Sequence, residues 1–404
     1  MSQKLISLSQ DLTRLQGDGY DIDARQDGYL VVKIPYVDSS KKVKWGTLVS
    51  ELTLAGDVTT KPSTHVVHFG GNYPCRQDGS PITEIQHQSN TSHLAPNLVV
   101  NHSFSSKPAE GYKDYYEKMT TYCAIISSHA QAIDPTATPK TFPIVLPDDD
   151  ESVFNYVDTA SSRAGIGAIN AKLSLRKVAI VGLGGTGSYL LDLVAKTAPK
   201  EIHLFDGDRY LQHNAFRSPG GPSIEQIRGA PMKVAFFREL YSPMRRNIFA
   251  HEIFVDASNV QQLREMDFVF LCLEGKAKKL IIEKLQEFDV PFIDVGMGVY
   301  PVEGRLGGVL RVTSSTLRPG ARLMVPDRIP SPGDGDLDDI YSHNIQIADL
   351  NALNAVLAVI KWKKLFGFYL DLEGEHHTTY TVDGNTLTNE DHRESTDEPP
   401  SRVC

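Results

Sequence analysis

Leu5, Leu8, Leu12 and Leu15 recur at spacings of three and four along SQKLISLSQDLTRLQG, the stripe of one amphipathic helix over residues 2–17 that Gly17 stops. Three runs rich in β-branched and aromatic residues follow, at 29–34, 47–54 and 64–69, and turn-forming segments between them predict antiparallel strands. Residues 70–108 lose the pattern and fill with Gly, Pro, Asn and Ser. Helical spacing returns over 112–133, with Tyr115, Met119, Tyr122 and Ile126 on one stripe. Helix, meander, irregular loop and helix make residues 1–133 a small α+β domain. Four prolines and the acidic run Asp148, Asp149, Asp150 mark 134–157 as a linker.

From residue 158 the chain alternates. Apolar runs at 178–181, 202–205, 248–255, 268–273 and 291–295 predict strands, and residues 188–196, 232–240 and 277–288 predict helices between them. That rhythm makes an α/β fold, a mostly parallel sheet covered by helices. Residues 299–313 read as antiparallel strands closing one edge. The Pro-, Gly- and Asp-rich stretch 317–339 reads as a crossover. One long apolar helix is expected over 347–366, buried or at a subunit interface. The domain runs over 158–385, and polar composition predicts a disordered tail over 386–404.

The chemistry gathers at the first βαβ unit, KVAIVGLGGTGSYLLDLVAKTAPKEIHLFDGD. Gly182, Gly184, Gly185 and Gly187 turn a strand into a helix, where backbone N–H groups can approach a phosphate. Asp206, nineteen residues after Gly187, and Asp208 stand at the tip of the next strand, where a carboxylate can accept from ribose hydroxyls. A dinucleotide dehydrogenase shares those marks, so other residues must choose. HNAFR places Asn214 and Arg217 three apart. GAPMK puts Lys233 at a helix start, a position a cation occupies at a cost unless an anion neutralises it. FVFLCLEG sets Glu274 just past a strand end, and SSRAG carries Arg163 upstream of the first strand. Arg217, Lys233 and Arg163 exceed what a pyrophosphate needs and suit a triphosphate.

Composition narrows the setting. The 404-residue chain has net charge −9, which argues against a nucleic-acid surface, and its four cysteines show no paired spacing, which suits a reducing compartment. No basic-then-apolar leader and no membrane-length apolar run are visible, so a cytoplasmic location without membrane contact is expected.

GLGGTGS, LFDGD, HNAFR, GAPMK and FLCLEG, in this order, resemble the ThiF/MoeB superfamily of adenylating enzymes related to ubiquitin-activating enzyme. The resemblance covers roughly residues 160–370. It implies a Rossmann-like adenylation domain that binds ATP and magnesium and activates the C-terminal carboxylate of a ubiquitin-like or sulfur-carrier protein as an acyl-adenylate. By the same resemblance, Gly184, Gly185 and Gly187 cradle phosphate and Asp206 holds the ribose. Asn214, Arg217 and Lys233 contact phosphates, Glu274 ligates magnesium, and Arg163 reaches a partner subunit's site in a homodimer. The order of elements in residues 1–133 is also that of the ubiquitin-conjugating fold, and this domain is expected to dock substrate or a conjugating enzyme.

Three departures stand out. Glu274 occupies the place of the family's magnesium-binding aspartate, paired CxxC zinc sites are missing, and residues 313–346 lack the thioester cysteine of some members. Cys272 and Cys123 read as core residues and Cys404 ends the tail, leaving Cys75 as the candidate thiol. His65, His68 and Cys75 form a weak alternative, a zinc set. Against the adenylating enzyme stands a second reading, a nucleotide-binding pseudo-enzyme scaffold or sensor, favoured by Glu274. A dehydrogenase comes third, since no histidine is placed as its proton donor.

Overall fold

A computed structural model describes residues 2–147, 152–275, 277–316, 328–329 and 345–392. The chain divides into two compact units, Met1–Ser152 with Tyr156–Ile166, and Val153–Asn155 with Gly167–Cys404.

In the first unit the leucine stripe forms two helices, α1 (Ser2–Leu8) and α2 (Gln10–Gly17), rather than the single helix expected. Ser9 breaks it: its backbone is extended, and its buried hydroxyl accepts a hydrogen bond from the Thr59 N–H at 3.0 Å. Leu12 and Leu15 stay buried, whereas Leu8 turns to solvent. The strands are β1 (Ile22–Ala24), β2 (Tyr29–Val37), β3 (Val43–Glu51), β4 (Leu54–Ala55), β5 (Val58–Thr59), β6 (Val66–Gly70), β7 (Gln86–Gln88), β8 (Ser92–Ala95), β9 (Leu98–Val100) and β10 (His102–Ser105). The main sheet runs β1-β2-β3-β6-β10-β7, antiparallel throughout. The segment expected to be irregular thus supplies β7 and β10, short strands whose polar residues hide the alternation.

Helix α3 (Tyr115–Ile133) packs on this sheet through Tyr115, Met119, Tyr122 and Ile126, all fully buried, and the Asp114 carboxylate caps its start by accepting from the Glu117 N–H. Lys118, also fully buried, faces the sheet and donates to Ser50 Oγ and the Thr64 carbonyl. Burial lowers its pKa to about 8. Helix α4 (Thr159–Ala164) belongs to this unit and not to the second domain begun at residue 158, because Arg163 packs against Gly17 of α2. Residues 153–155 join the second unit instead, where Phe154 bridges Arg245.

The second unit contains α5 (Gly167–Asn170), β11 (Lys177–Val181), α6 (Gly185–Ala195), β12 (Glu201–Phe205), α7 (Gln212–Ala215), α8 (Ile224–Gly229), α9 (Lys233–Tyr241), β13 (Ile248–His251) and β14 (Phe268–Leu271). Then come α10 (Ala277–Glu287), β15 (Phe292–Val302), β16 (Arg305–Ser315), α11 (Ala348–Leu365), β17 (Glu375–Thr381) and β18 (Thr386–His392). The sheet order is β13-β12-β11-β14-β15-β16-β17-β18; the first five strands are parallel and the last three antiparallel. Successive residues of the buried strands feed opposite faces. Val178 and Ile180 pack with Leu190, Phe237 and Trp362 of α6, α9 and α11, while Ala179 and Val181 pack with Ile281 and Leu285 of α10.

Residues 386–392, expected within a disordered tail, are β18. Polar side chains suit this strand because it lies at the sheet edge, and Thr378 Oγ1 donates across to Asn389 Oδ1 at 3.0 Å. The expected acidic run at 148–150, the crossover at 317–339 apart from 328–329, and Cys404 lie outside the described residues. Among the described residues no helix is long and apolar enough to cross a membrane.

Candidate functional site

The carboxyl edge of the parallel strands is where open α/β sheets bind ligands, and the glycine turn sits there. Three of its four glycines are demanded by the chain itself. Gly182 has φ +90°, and a Cβ on it would lie 2.7 Å from the Cys272 carbonyl oxygen. On Gly187 the Cβ would meet the Gly182 oxygen at 1.9 Å, and on Gly185 it would strike the Asn351 amide at 2.0 Å. Gly184 differs. It precedes α6 with φ −72°, and a Cβ there would find only Gln346 Oε1, at 3.9 Å. The space beside the start of α6 is therefore open at Gly184 alone of the four, and it is bounded by the helix end that attracts anions.

Asp206 ties this turn to the next one. Its buried carboxylate accepts from the Leu183 N–H at 2.6 Å and from the Asp208 N–H at 2.8 Å. Lys233, the first residue of α9, is buried and lies 2.7 Å from Asp208 Oδ2 and 3.7 Å from Asp206 Oδ1. The anions that offset a cation at this helix start are thus the protein's own. Asn214 turns inward on α7, its Oδ1 accepting from the Leu211 N–H at 2.8 Å, so its side chain caps its own short helix.

Arg217 differs at one atom, its Nε. It is half-buried, its Nε is shielded from solvent, and no hydrogen bond reaches that atom among the described residues. Burial lowers its pKa, while the charges of Asp208 and Glu274 act to raise it. An orphaned guanidinium N–H costs free energy unless an acceptor arrives, and the Arg217 backbone is tied through Asn351 to Thr186 at the start of α6. Glu274 stands beyond β14 with its side chain at the surface of the same edge. Desolvation by the surrounding chain and the charge of Asp294 raise its pKa, more than Lys278 and Arg217 lower it.

Sequence reasoning missed two groups. Asn351 of α11 accepts from Thr186 Oγ1 at 3.0 Å and donates to the Arg217 carbonyl at 3.4 Å, holding the start of α6 and the Arg217 backbone together. The signal was an asparagine within an apolar helix. Asp294 of β15, fully buried, pairs with Lys278 at 2.7 Å and Arg311 at 2.6 Å. An acid inside the run FIDVG was the clue.

Two candidates lie in the other unit. Arg163 packs on Gly17 beneath a groove of about 520 Å³ that Arg14 and Asp18 also line. Cys75 is buried, donates to the Tyr73 carbonyl at 3.4 Å, and has its pKa raised by burial and by Asp38 and Asp78. Among the described residues no cation lowers it, so the environment works against a thiolate. Burial likewise raises the thiols of Cys123 and Cys272. His65 bonds Ser105 at 3.1 Å, and no group of three metal-binding side chains occurs among the described residues.

Residues 10–159 match a domain of unknown function, DUF6791. No curated protein matches the chain. Among solved structures the chain is similar to Escherichia coli MccB with MccA, at 15% identity over 59% of this chain and 71% of that one, with a TM-score of 0.42. MccB with ATP gives 16% identity, 60% and 72% coverage and a TM-score of 0.40. PaaA gives 15% identity over 85% and 98%, with a TM-score of 0.45.

Proposed function

We propose that the second unit binds ATP at the edge formed by Gly184, Asp206, Asp208, Arg217 and Lys233, and adenylates the C-terminal carboxylate of a small ubiquitin-like or sulfur-carrier protein. One observation supports the reading: the shielded Arg217 Nε has no hydrogen-bond partner among the described residues, on a residue whose backbone Asn351 ties to the start of α6. That is an electrophilic arrangement kept waiting for an anion. In the reaction the carboxylate oxygen attacks the α-phosphorus. The bond from that phosphorus to the bridging oxygen breaks, and pyrophosphate leaves with the electron pair.

Asp206, which accepts only, is suited to ribose hydroxyls. Arg217 neutralises charge gathering on the phosphates, and Lys233 holds the acid turn in place while lending its own charge. Gly182, Gly185 and Gly187 shape the turn and Gly184 leaves it open to phosphate, with Asn214 bracing the short helix that precedes Arg217. Glu274, exposed just past the end of β14, is the carboxylate that would hold magnesium, an ion that commonly takes one or two carboxylates together with phosphate oxygens. When bound it would neutralise phosphate charge. Arg163, on the first unit, would serve the site of a second copy in a homodimer, and the first unit would dock the carrier or a conjugating enzyme.

The test is ATP–pyrophosphate exchange with small proteins ending in glycine. Exchange is expected with one such partner and is expected to vanish in Arg217→Ala. Persistent exchange in that variant overturns the site. A scaffold or sensor that binds nucleotide without turnover is the second reading, favoured by Glu274 and by the engagement of Lys233 with two acids. Tight ATP binding with no AMP formed under any partner would select it.

A further inference from the structure

Phe254 is out of place for a folding residue. The residue is 62% exposed, and its ring lies against Gly207, the residue between Asp206 and Asp208; a Cβ on Gly207 would come within 2.6 Å of Phe254 Cδ2 and Cε2. The ring therefore lies over Gly207 of the acid turn while most of the residue's surface faces solvent. Its backbone is fixed: the Phe254 carbonyl accepts from Asn259 Nδ2 at 2.8 Å, and Asn259 Oδ1 accepts from the Asp256 N–H at 3.0 Å. The ends of the two adjoining strands are also aromatic. Phe205 and His251, register partners at the ends of β12 and β13, stack at 4.2 Å between centroids and 7° between planes. A large apolar face held still and left in water, at the strand end next to a carboxylate fitted for sugar hydroxyls, has the form of a stacking surface.

We propose that Phe254 is the platform on which the base of a nucleoside triphosphate stacks, with Gly207 required so that ring and sugar can both approach the acid turn. The inference rests on the nucleotide reading above, and the test separates the two. ATP and inorganic tripolyphosphate are titrated into the full chain and into Phe254→Ala, Phe254→Leu and Phe254→Tyr. Phe254→Leu keeps apolar cover over Gly207 but removes the π-face, and thermal melts check that each variant is folded. Stacking on an aromatic side chain is worth a factor of roughly five to a hundred in affinity. ATP is expected to weaken by about that factor in Phe254→Ala and Phe254→Leu, to bind Phe254→Tyr as it binds wild type, and tripolyphosphate to be unaffected in all three. ATP binding equal to wild type in folded Phe254→Leu overturns the platform. Wild-type chain that binds neither ATP nor tripolyphosphate overturns the nucleotide reading beneath it.

Discussion

Gly184 and Gly185 are neighbours with opposite predicted fates. An alanine at 185 brings its Cβ to 2.0 Å from Asn351 Nδ2, 2.3 Å from Cγ and 2.6 Å from Oδ1. Asn351 must move, which breaks its bonds with Thr186 at 3.0 Å and with the Arg217 carbonyl at 3.4 Å. Overpacking costs ~1–3 kcal/mol, and each lost hydrogen bond about 1 kcal/mol. Replacing glycine in a helix returns under ~1 kcal/mol. The net is a loss of ~2–4 kcal/mol from the second unit. Gly184→Ala meets nothing closer than 3.9 Å at an unstrained φ of −72°, so stability is expected to hold while nucleotide binding falls.

The assay is urea unfolding followed by tryptophan emission. Trp362 is fully buried in the second unit and Trp45 lies in the first, so a Trp45→Phe background reports the second unit alone. Adding Asn351→Ala to Gly185→Ala removes the obstruction and should recover the part of the loss due to overpacking, a non-additive result. A Gly185→Ala chain that unfolds at the wild-type midpoint, or additive effects of the two changes, would refute the packing argument.

Three further outcomes follow. Arg217→Ala should leave the melting temperature level or higher, since it removes a guanidinium with an unmet N–H, while abolishing AMP formation; a drop in stability would show Arg217 to be structural. Lys118 has a folded pKa near 8, below its ordinary value, so its buried charge weakens the first unit below about pH 8 and the weakening is relieved as pH rises from 8 toward 10. That is worth up to ~3 kcal/mol, read as a rising urea midpoint that Lys118→Met should flatten. Burial alone would raise the Glu375 carboxyl, but Lys361 at 2.8 Å and Lys364 at 3.1 Å outweigh it and bring the pKa down to about 2. This contribution is present above about pH 4 and lost as pH falls through 2, and Glu375→Gln at pH 7 should cost ~3–5 kcal/mol in unfolding measurements.

What the chain disclosed in one dimension was whatever its neighbours in sequence determine. The glycine turn, Asp206 and the alternating strands were legible because each depends on residues within one βαβ unit. Even so, the glycines were legible for a mixed reason: Gly182, Gly185 and Gly187 are compelled by Cys272, Asn351 and Gly182 itself, and only Gly184 leaves space for a ligand. Asn351 lies 165 residues from Thr186, and nothing local says that a polar residue in an apolar helix will arrive there. Lys233 was read as awaiting an anion because Asp208, 25 residues earlier, had no visible path to it. Ser9 split the first helix through Thr59, a partner 50 residues away.

The last strand has a practical side. Glu375–Thr381 is flanked on one side by β16 and on the other by β18, and its first four residues are buried. A chain trimmed at Asn385, as composition alone would invite, uncovers a row of unpaired amides and carbonyls on that strand. Bare rims of this kind recruit strands from other molecules, so such a trimmed protein would be expected to precipitate or to pair with itself. Tags and fusions are better attached beyond His392.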